Sequence, residues 1–268
     1  MIAIAHFIAV TLYLGAAALA ATPFARPVKA PVRATIGLLA AGVVTHAIGL
    51  AVLTRASGSL PLTGLGPALS VAAFILALTL LVVEQVAHEV SLTLVTAPLA
   101  AVAAATATIV GLQPGGFAAH AREAWLVAHV ALSFGGFAAF ATAAAAGTMY
   151  LVERRGLRSR RFDAIFRLFP PLATLDRMNH VASIAGWIVL TLGIALAVAY
   201  ALSYHEMDLA KLLWGTGAWL AVSTLAIGRV LGGWQARRAA VFTTVSFSAV
   251  VLLYVAMRIV EPMPGRFL

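Results

Sequence analysis

Residues 34–53 read ATIGLLAAGVVTHAIGLAVL, an uncharged run with a single histidine, His46, set inside it. Roughly 20 apolar residues are what an α-helix needs to cross the ~30 Å hydrocarbon core of a bilayer. Residues 124–140, AWLVAHVALSFGGFAAF, repeat the arrangement with His129 near the start. These two stretches decide the fold class. A lipid-exposed backbone has no water to bond to, so each segment must satisfy its own hydrogen bonds and is helical. They also raise the functional question, because an ionisable ring in hydrocarbon is expensive and marks a site by default.

Working outward, eight stretches qualify as spans: about 3–20, 34–53, 65–84, 91–112, 124–152, 180–204, 210–228 and 239–258. The fourth contains Pro98 and the seventh contains Gly215 and Gly217. Of the 268 residues, 62% are hydrophobic and 10% charged, against about 25% charged in a soluble domain. A water-covered globule is thereby excluded. The chain has no cysteine, which excludes disulfides and thiol chemistry.

The net charge of +9 suggests a nucleic-acid partner until its distribution is read. The excess sits in a few loops between apolar spans, the positive-inside pattern of an integral membrane protein. Residues 1–24 end in small residues like a signal peptide, but no basic residue precedes the apolar run, and Arg26, Lys29 and Arg33 follow it. They read as a first span with its N-terminus outside. Thirteen of the 18 Lys and Arg then fall on the inner side. The expectation is an all-α, polytopic membrane helix bundle of about eight transmembrane helices, one integral membrane domain over 1–268, with both termini outside.

The inner loop 153–178 places Phe162, Ile165, Phe166 and Phe169 on one helical face beside Arg158, Arg161 and Arg167. This pattern suits an interfacial helix on anionic lipid, or a docking site for a cytoplasmic partner. Ala131, Gly135, Ala139, Ala143 and Gly147 form a small-residue stripe suited to close helix packing inside the bundle. There is no internal repeat, phosphate-binding loop or pair of intramembrane carboxylates, so an enzyme is not expected.

Depth separates the histidines. His46 lies about 10 Å below the outer surface at 1.5 Å per residue, and His129 is five residues into its span. Neutral imidazole is the commonest metal ligand and binds haem iron from a helix side. His46 and His129, at one depth, are the pair expected to hold one haem iron. The alternative for either is a hydrogen bond to a neighbouring helix. His6, near a helix end, is expected to reach interfacial water. His120 and His205 fall in outer loops and His88 in an inner one. His180 begins span six at the inner face, as a structural residue or a ligand of a second site. Arg55 and Arg122 on the outer rim can pair with haem propionates, or serve as ordinary interfacial arginines.

The order of motifs in the second half is distinctive: HVALSFGGFAAF (129–140), GTMYLVERRGLRSRR (147–161), LFPPLATLDRMNHVASIAGWIVLTLGIALAVAYA (168–201) and WGTGAWLAVSTLAIGRVLGGWQARRAAVFTTVSFS (214–248). With THAIGL in span two and SGSLPLTGLGPALS at 57–70, the chain resembles the cytochrome c assembly family over about 45–260. The resemblance is specifically to its short HemX-like branch of eight-helix inner-membrane proteins. The resemblance implies haem b held by histidines near the outer face of a bacterial inner (cytoplasmic) membrane. Its partners would be the lipid bilayer, apocytochrome c or other cytochrome c maturation proteins, with no nucleic acid. His129 matches the family's histidine before the basic loop, and His46 and His180 match histidines of the HemX-like branch. The chain departs from the family in three places. Of the family's Trp-rich motif Trp214 and Trp219 survive, Arg229 or a neighbour stands where a histidine is expected, and the C-terminus carries no final histidine. Two rival readings remain, a membrane transporter and a cofactor-free assembly subunit of a respiratory complex.

Overall fold

Nine α-helices and no strand appear among the residues that the structure, a computed structural model, describes: 2–26, 28, 30–58, 65–87, 90–113, 120–159, 169–204 and 209–260. They are α1 (Ile2–Ala20), α2 (Thr22–Ala25), α3 (Val32–Ser57), α4 (Leu65–Ala87), α5 (Thr93–Val110), α6 (His120–Arg158), α7 (Leu172–Tyr204), α8 (Leu209–Val230) and α9 (Ala236–Val260). Among the described residues, seven of these are long and apolar enough to cross a membrane. The eighth long helix, α8, has 22 residues, about 33 Å at 1.5 Å each. The protein is a polytopic bundle of apolar helices and a multi-pass membrane protein. Its outward faces carry Phe7, Val86, Ile109 and Leu231 at 72–85% exposure. Such faces would aggregate in water and suit lipid instead.

Two boundaries differ from the sequence reading. Helix α6 continues to Arg158 and α7 begins at Leu172, so the basic connection is shorter than 153–178. His180 therefore lies more than two turns inside α7 and not at its start. The apolar periodicity fades at these ends, but the helices continue among the charged residues of the connection. Phe162, Ile165 and Phe166 fall outside the described residues. Helix α5 runs unbroken through Pro98, and α8 through Gly215 and Gly217.

The chain divides into two compact units, the first holding α1–α5 and the second α6–α9. In the first, α1 packs on α3, α3 on α4, α4 on α5, and α5 returns to α1. Helix α1 buries His6, Ala9, Tyr13, Ala16 and Ala20, while α3 buries Thr35, Leu39, Gly42, His46, Gly49 and Leu53. Apart from Val43, which α3 also buries, both series alternate steps of three and four, the spacing that keeps one seam facing a neighbouring helix. The second unit repeats the plan: α6 packs on α7, α7 on α8, α8 on α9, and α9 on α6. Its seam between α6 and α7 is built from small residues. A Cβ on Gly136 would sit 2.8 Å from that of Leu190, and one on Gly186 would sit 3.2 Å from the Gly136 carbonyl oxygen. The stripe Gly135–Ala139–Ala143–Gly147 is used inside this unit, Gly135 against Val189 and Gly147 against Ala240 and Asn179.

Candidate functional site

In the first unit His46, on α3, is enclosed by side chains from two neighbouring helices, α1 and α4. Gly42 and Gly49, one turn to either side of it on α3, leave space for the rings of α1. A Cβ on Gly42 would come within 2.7 Å of the Tyr13 ring, and one on Gly49 within 3.0 Å of His6. His6, Tyr13, His46 and Ser70 are all fully buried. The two imidazoles meet edge to face with centroids 4.9 Å apart, and the Phe74 ring packs against His46 at 5.8 Å.

The hydrogen bonds assign the protons. His6 Nδ1 lies 2.9 Å from the Ile2 carbonyl oxygen. A carbonyl only accepts, so Nδ1 carries the hydrogen and Nε2 of the neutral ring is an acceptor. The Ser70 hydroxyl therefore donates to His6 Nε2 at 2.7 Å. Its oxygen accepts from His46 Nε2–H at 3.0 Å. His46 Nδ1 is left as an acceptor for the Tyr13 hydroxyl at 3.2 Å. Both nitrogens of both rings are thus engaged. Two rings that share one hydroxyl leave no space for a porphyrin between them. His6 does not reach interfacial water as expected, because α3 and α4 cover it.

The second unit treats its histidine differently. His129, half-buried on α6, donates Nδ1–H to the Gly193 carbonyl of α7 at 2.8 Å. Gly193 belongs to the LTLGI motif, and its missing Cβ, which would lie 3.0 Å from Ser133 Oγ, lets the helices approach closely enough for that bond. His129 Nε2 has no partner among the described residues and keeps its lone pair. Along the same face of α6, Phe137 stacks on Trp214 of α8 with centroids 4.9 Å apart, and Trp214 meets Tyr254 at 5.3 Å. Trp187 donates to Ser223 at 3.0 Å and Trp219 to Thr191 at 2.9 Å, a reciprocal pair that fastens α8 to α7.

Among the other expected residues, Arg55 is exposed in the last turn of α3, where a cation complements the helix dipole. Arg122 and His120 lie on α6 with side chains outside the described residues, as are His88 and His205 altogether. His180 is half-buried in the second unit. His46 and His129 belong to different units, and their sharing of a ligand was inferred from depth alone.

Several polar contacts escaped the sequence reading. Asn179 donates to the Ala143 carbonyl at 2.8 Å and to Thr243 at 3.2 Å, tying α7 to α6 and α9. Glu84 accepts from the backbone N–H and the hydroxyl of Thr93 and so caps α5. Arg229 pairs with Asp176 at 2.5 Å and with its carbonyl at 3.1 Å. Arg229 is thus bonded to the aspartate of the LDR at 175–177. Only the apolar setting flagged such residues. Their partners, 9 to 64 positions away, left no local signal.

No curated protein matches the chain. The stretch that matches a known family starts at Ala34, so α1, with His6 and Tyr13, precedes it. From residue 34 to 263, most of its length, the chain matches Cytochrome C assembly protein and belongs to that family.

Proposed function

We propose that this protein carries haem b in the bacterial inner membrane, as an accessory to cytochrome c maturation or haem metabolism of the HemX-like kind. Family membership supports the role in cytochrome c maturation. The observation that carries the haem reading is His129. Metal-binding histidines almost always donate the second ring nitrogen to a carbonyl or carboxylate, which fixes the tautomer and aims the free nitrogen. The Gly193 carbonyl does this for His129, and Nε2 is the atom that would bind iron. Bound haem would supply the iron–porphyrin to be handed to apocytochrome c. The chain's own residues orient it: His129 by its pinned ring, and Phe137 and Trp214 by aromatic faces about two turns further along. His46, with both nitrogens engaged, supports the buried frame and is not needed as a ligand.

The test is the visible spectrum of purified protein reconstituted with haem b. The wild type should give a defined reduced spectrum that His129→Ala loses. A colourless wild type, or an unchanged His129→Ala spectrum, would overturn the reading. Orientation is checked separately in the cysteine-free chain: Ser159→Cys should react with an impermeant thiol reagent only from the inner side.

A further inference from the structure

The start of α9 carries polar side chains that the haem reading leaves unused. Gln235, Arg237 and Arg238 stand at one end of a groove of about 550 Å³, and Val241, Phe242, Val245 and Ser246 line it further along. Its volume is that of a small-molecule site. At 1.5 Å per residue, Val241 and Val245 lie about 6 and 12 Å beyond Arg237. The groove is therefore cationic at its mouth and apolar along its length. Phe140 meets Phe247 and Gly147 meets Ala240, so α9 runs antiparallel to α6. It starts at the end of the unit where α6 carries Arg154, Arg155 and Arg158.

The two arginines are held in place and unspent. Arg238 lies over the Trp234 ring, 4.3 Å from its centroid. That ring is itself fixed. It meets Phe242 edge to face at 5.2 Å, and Gly228 leaves it a notch, since a Cβ there would come within 2.5 Å of the indole. Stacking occupies the face of the guanidinium and leaves its N–H edge for an anion. Among the described residues neither Arg237 nor Arg238 has a carboxylate partner, and no acidic side chain lines the groove. We propose that this groove binds one anionic glycerophospholipid of the surrounding bilayer, with its phosphate at Arg237 and Arg238 and its acyl chains along Val241, Phe242 and Val245.

Complementarity selects the occupant. A phosphodiester accepts paired N–H groups from guanidinium, and basic pockets beside membrane-spanning helices recognise anionic headgroups. Val241 and Val245, 41% and 62% exposed, are left uncovered by the protein at the depth of acyl chains. Trp234 stands at headgroup level, where an amphipathic indole is favoured. A zwitterionic lipid would bring an ammonium group towards two unpaired cations and is disfavoured. Haem also combines carboxylates with an apolar face. The described lining, however, has no histidine, methionine, cysteine or tyrosine to bind its iron, the side chains that proteins use for that purpose.

The experiment titrates the delipidated, haem-free full chain in detergent with phosphatidylglycerol or phosphatidylethanolamine and counts bound lipid by native mass spectrometry. The wild type should bind one phosphatidylglycerol at least about tenfold more tightly than phosphatidylethanolamine. Each arginine at a membrane surface strengthens binding of an anionic lipid about fivefold, so Arg237→Gln should weaken it about fivefold and the Arg237→Gln, Arg238→Gln double variant about thirtyfold. Val241→Trp, which fills the groove and keeps both charges, should weaken it as well. The Arg155→Gln, Arg158→Gln double variant, which removes as much charge from the same end of the unit, should leave it unchanged. Equal affinity for the two lipids, or undiminished binding in the groove double variant or in Val241→Trp, would overturn the site. So would an equal loss in the α6 double variant, which would reduce the effect to general surface charge. Displacement of the lipid by equimolar inorganic phosphate or by equimolar haem b would give the groove to another occupant and overturn it too. Haem enters only that last competition, so failure of the His129 reading leaves the lipid result standing.

Discussion

His46 in the first unit and His129 in the second each stand on a helix face that packs against neighbouring helices, yet their rings are used differently. His46 is wrapped by Tyr13, Ser70, His6 and Phe74 and spends both nitrogens inside the protein. His129 spends one nitrogen on a backbone carbonyl and is half-buried. The surrounding rings of four helices follow the same contact order. The difference comes from what the partner helices offer: α1 and α4 bring hydroxyls and a second imidazole, whereas α7 brings a bare glycine carbonyl. A buried histidine is therefore not a ligand by virtue of burial. The state of its second nitrogen decides.

The largest expected effect breaks the comparison outright. His129→Ala should abolish haem absorbance in reconstituted protein while the helix content measured by circular dichroism stays at the wild-type level. His46→Ala should do the reverse, leaving the haem spectrum in place and lowering the thermal midpoint in detergent. It strands the Tyr13 hydroxyl in an apolar setting, at about 1–3 kcal/mol for the unsatisfied group, and leaves Ser70 bonded to His6 alone. Loss of haem from His46→Ala with the fold intact would show that the frame and ligand roles are not divided as drawn.

Next in size are the glycines that set the helix distances. Gly136→Ala puts a Cβ 2.8 to 3.0 Å from Leu190 side-chain and backbone atoms, and backbone cannot step aside. Overpacking of this kind costs about 1–3 kcal/mol and should lower the unfolding midpoint. Gly135→Ala, one position away, meets only a Val189 methyl at 3.4 Å and should be close to neutral. In the first unit Gly42→Ala should resemble Gly136→Ala, since its Cβ would strike the Tyr13 ring at 2.7 Å. Equal midpoints for the Gly135 and Gly136 variants would mean that the seam yields more easily than its backbone contacts imply.

Much of this architecture was legible from residue order. Apolar runs of bilayer length dictated eight long helices, and intramembrane histidines picked out His46 and His129 as residues to explain. The ends of α6 and α7 were not legible, because helix continues where apolar periodicity stops. Nor was the repeated ring plan. Its two halves share helix order and no residue pattern, and a seam of Ala and Gly carries little sequence information. The partners were least visible. Ser70 in GPALS, Tyr13 in TLYLG and Gly193 in LTLGI look like ordinary span residues, and only the packing of distant helices brings them to a histidine. His6 was misjudged for the same reason, since nearness to a helix end says nothing about what covers it.

The smallest effects separate the two histidines most finely. Tyr13→Phe removes the donor to His46 Nδ1 and leaves that buried acceptor unpaired, a loss of about 1–3 kcal/mol that should register as a lower midpoint. Nitrogen-15 spectra of the wild-type imidazoles should show the hydrogen on Nε2 of His46 and on Nδ1 of His6, since the chain of bonds is polarised from the Ile2 carbonyl upward. Ser133→Ala is the matching change in the second unit. Ser133 Oγ stands 3.4 Å from His129 Nδ1, whose hydrogen already goes to the Gly193 carbonyl at 2.8 Å. Its removal should move stability by less than about 0.5 kcal/mol, and His129 should keep its hydrogen on Nδ1. If Ser133→Ala instead shifts the hydrogen to Nε2, the serine and not the glycine carbonyl sets the tautomer, and Gly193 is not what aims the free nitrogen of His129.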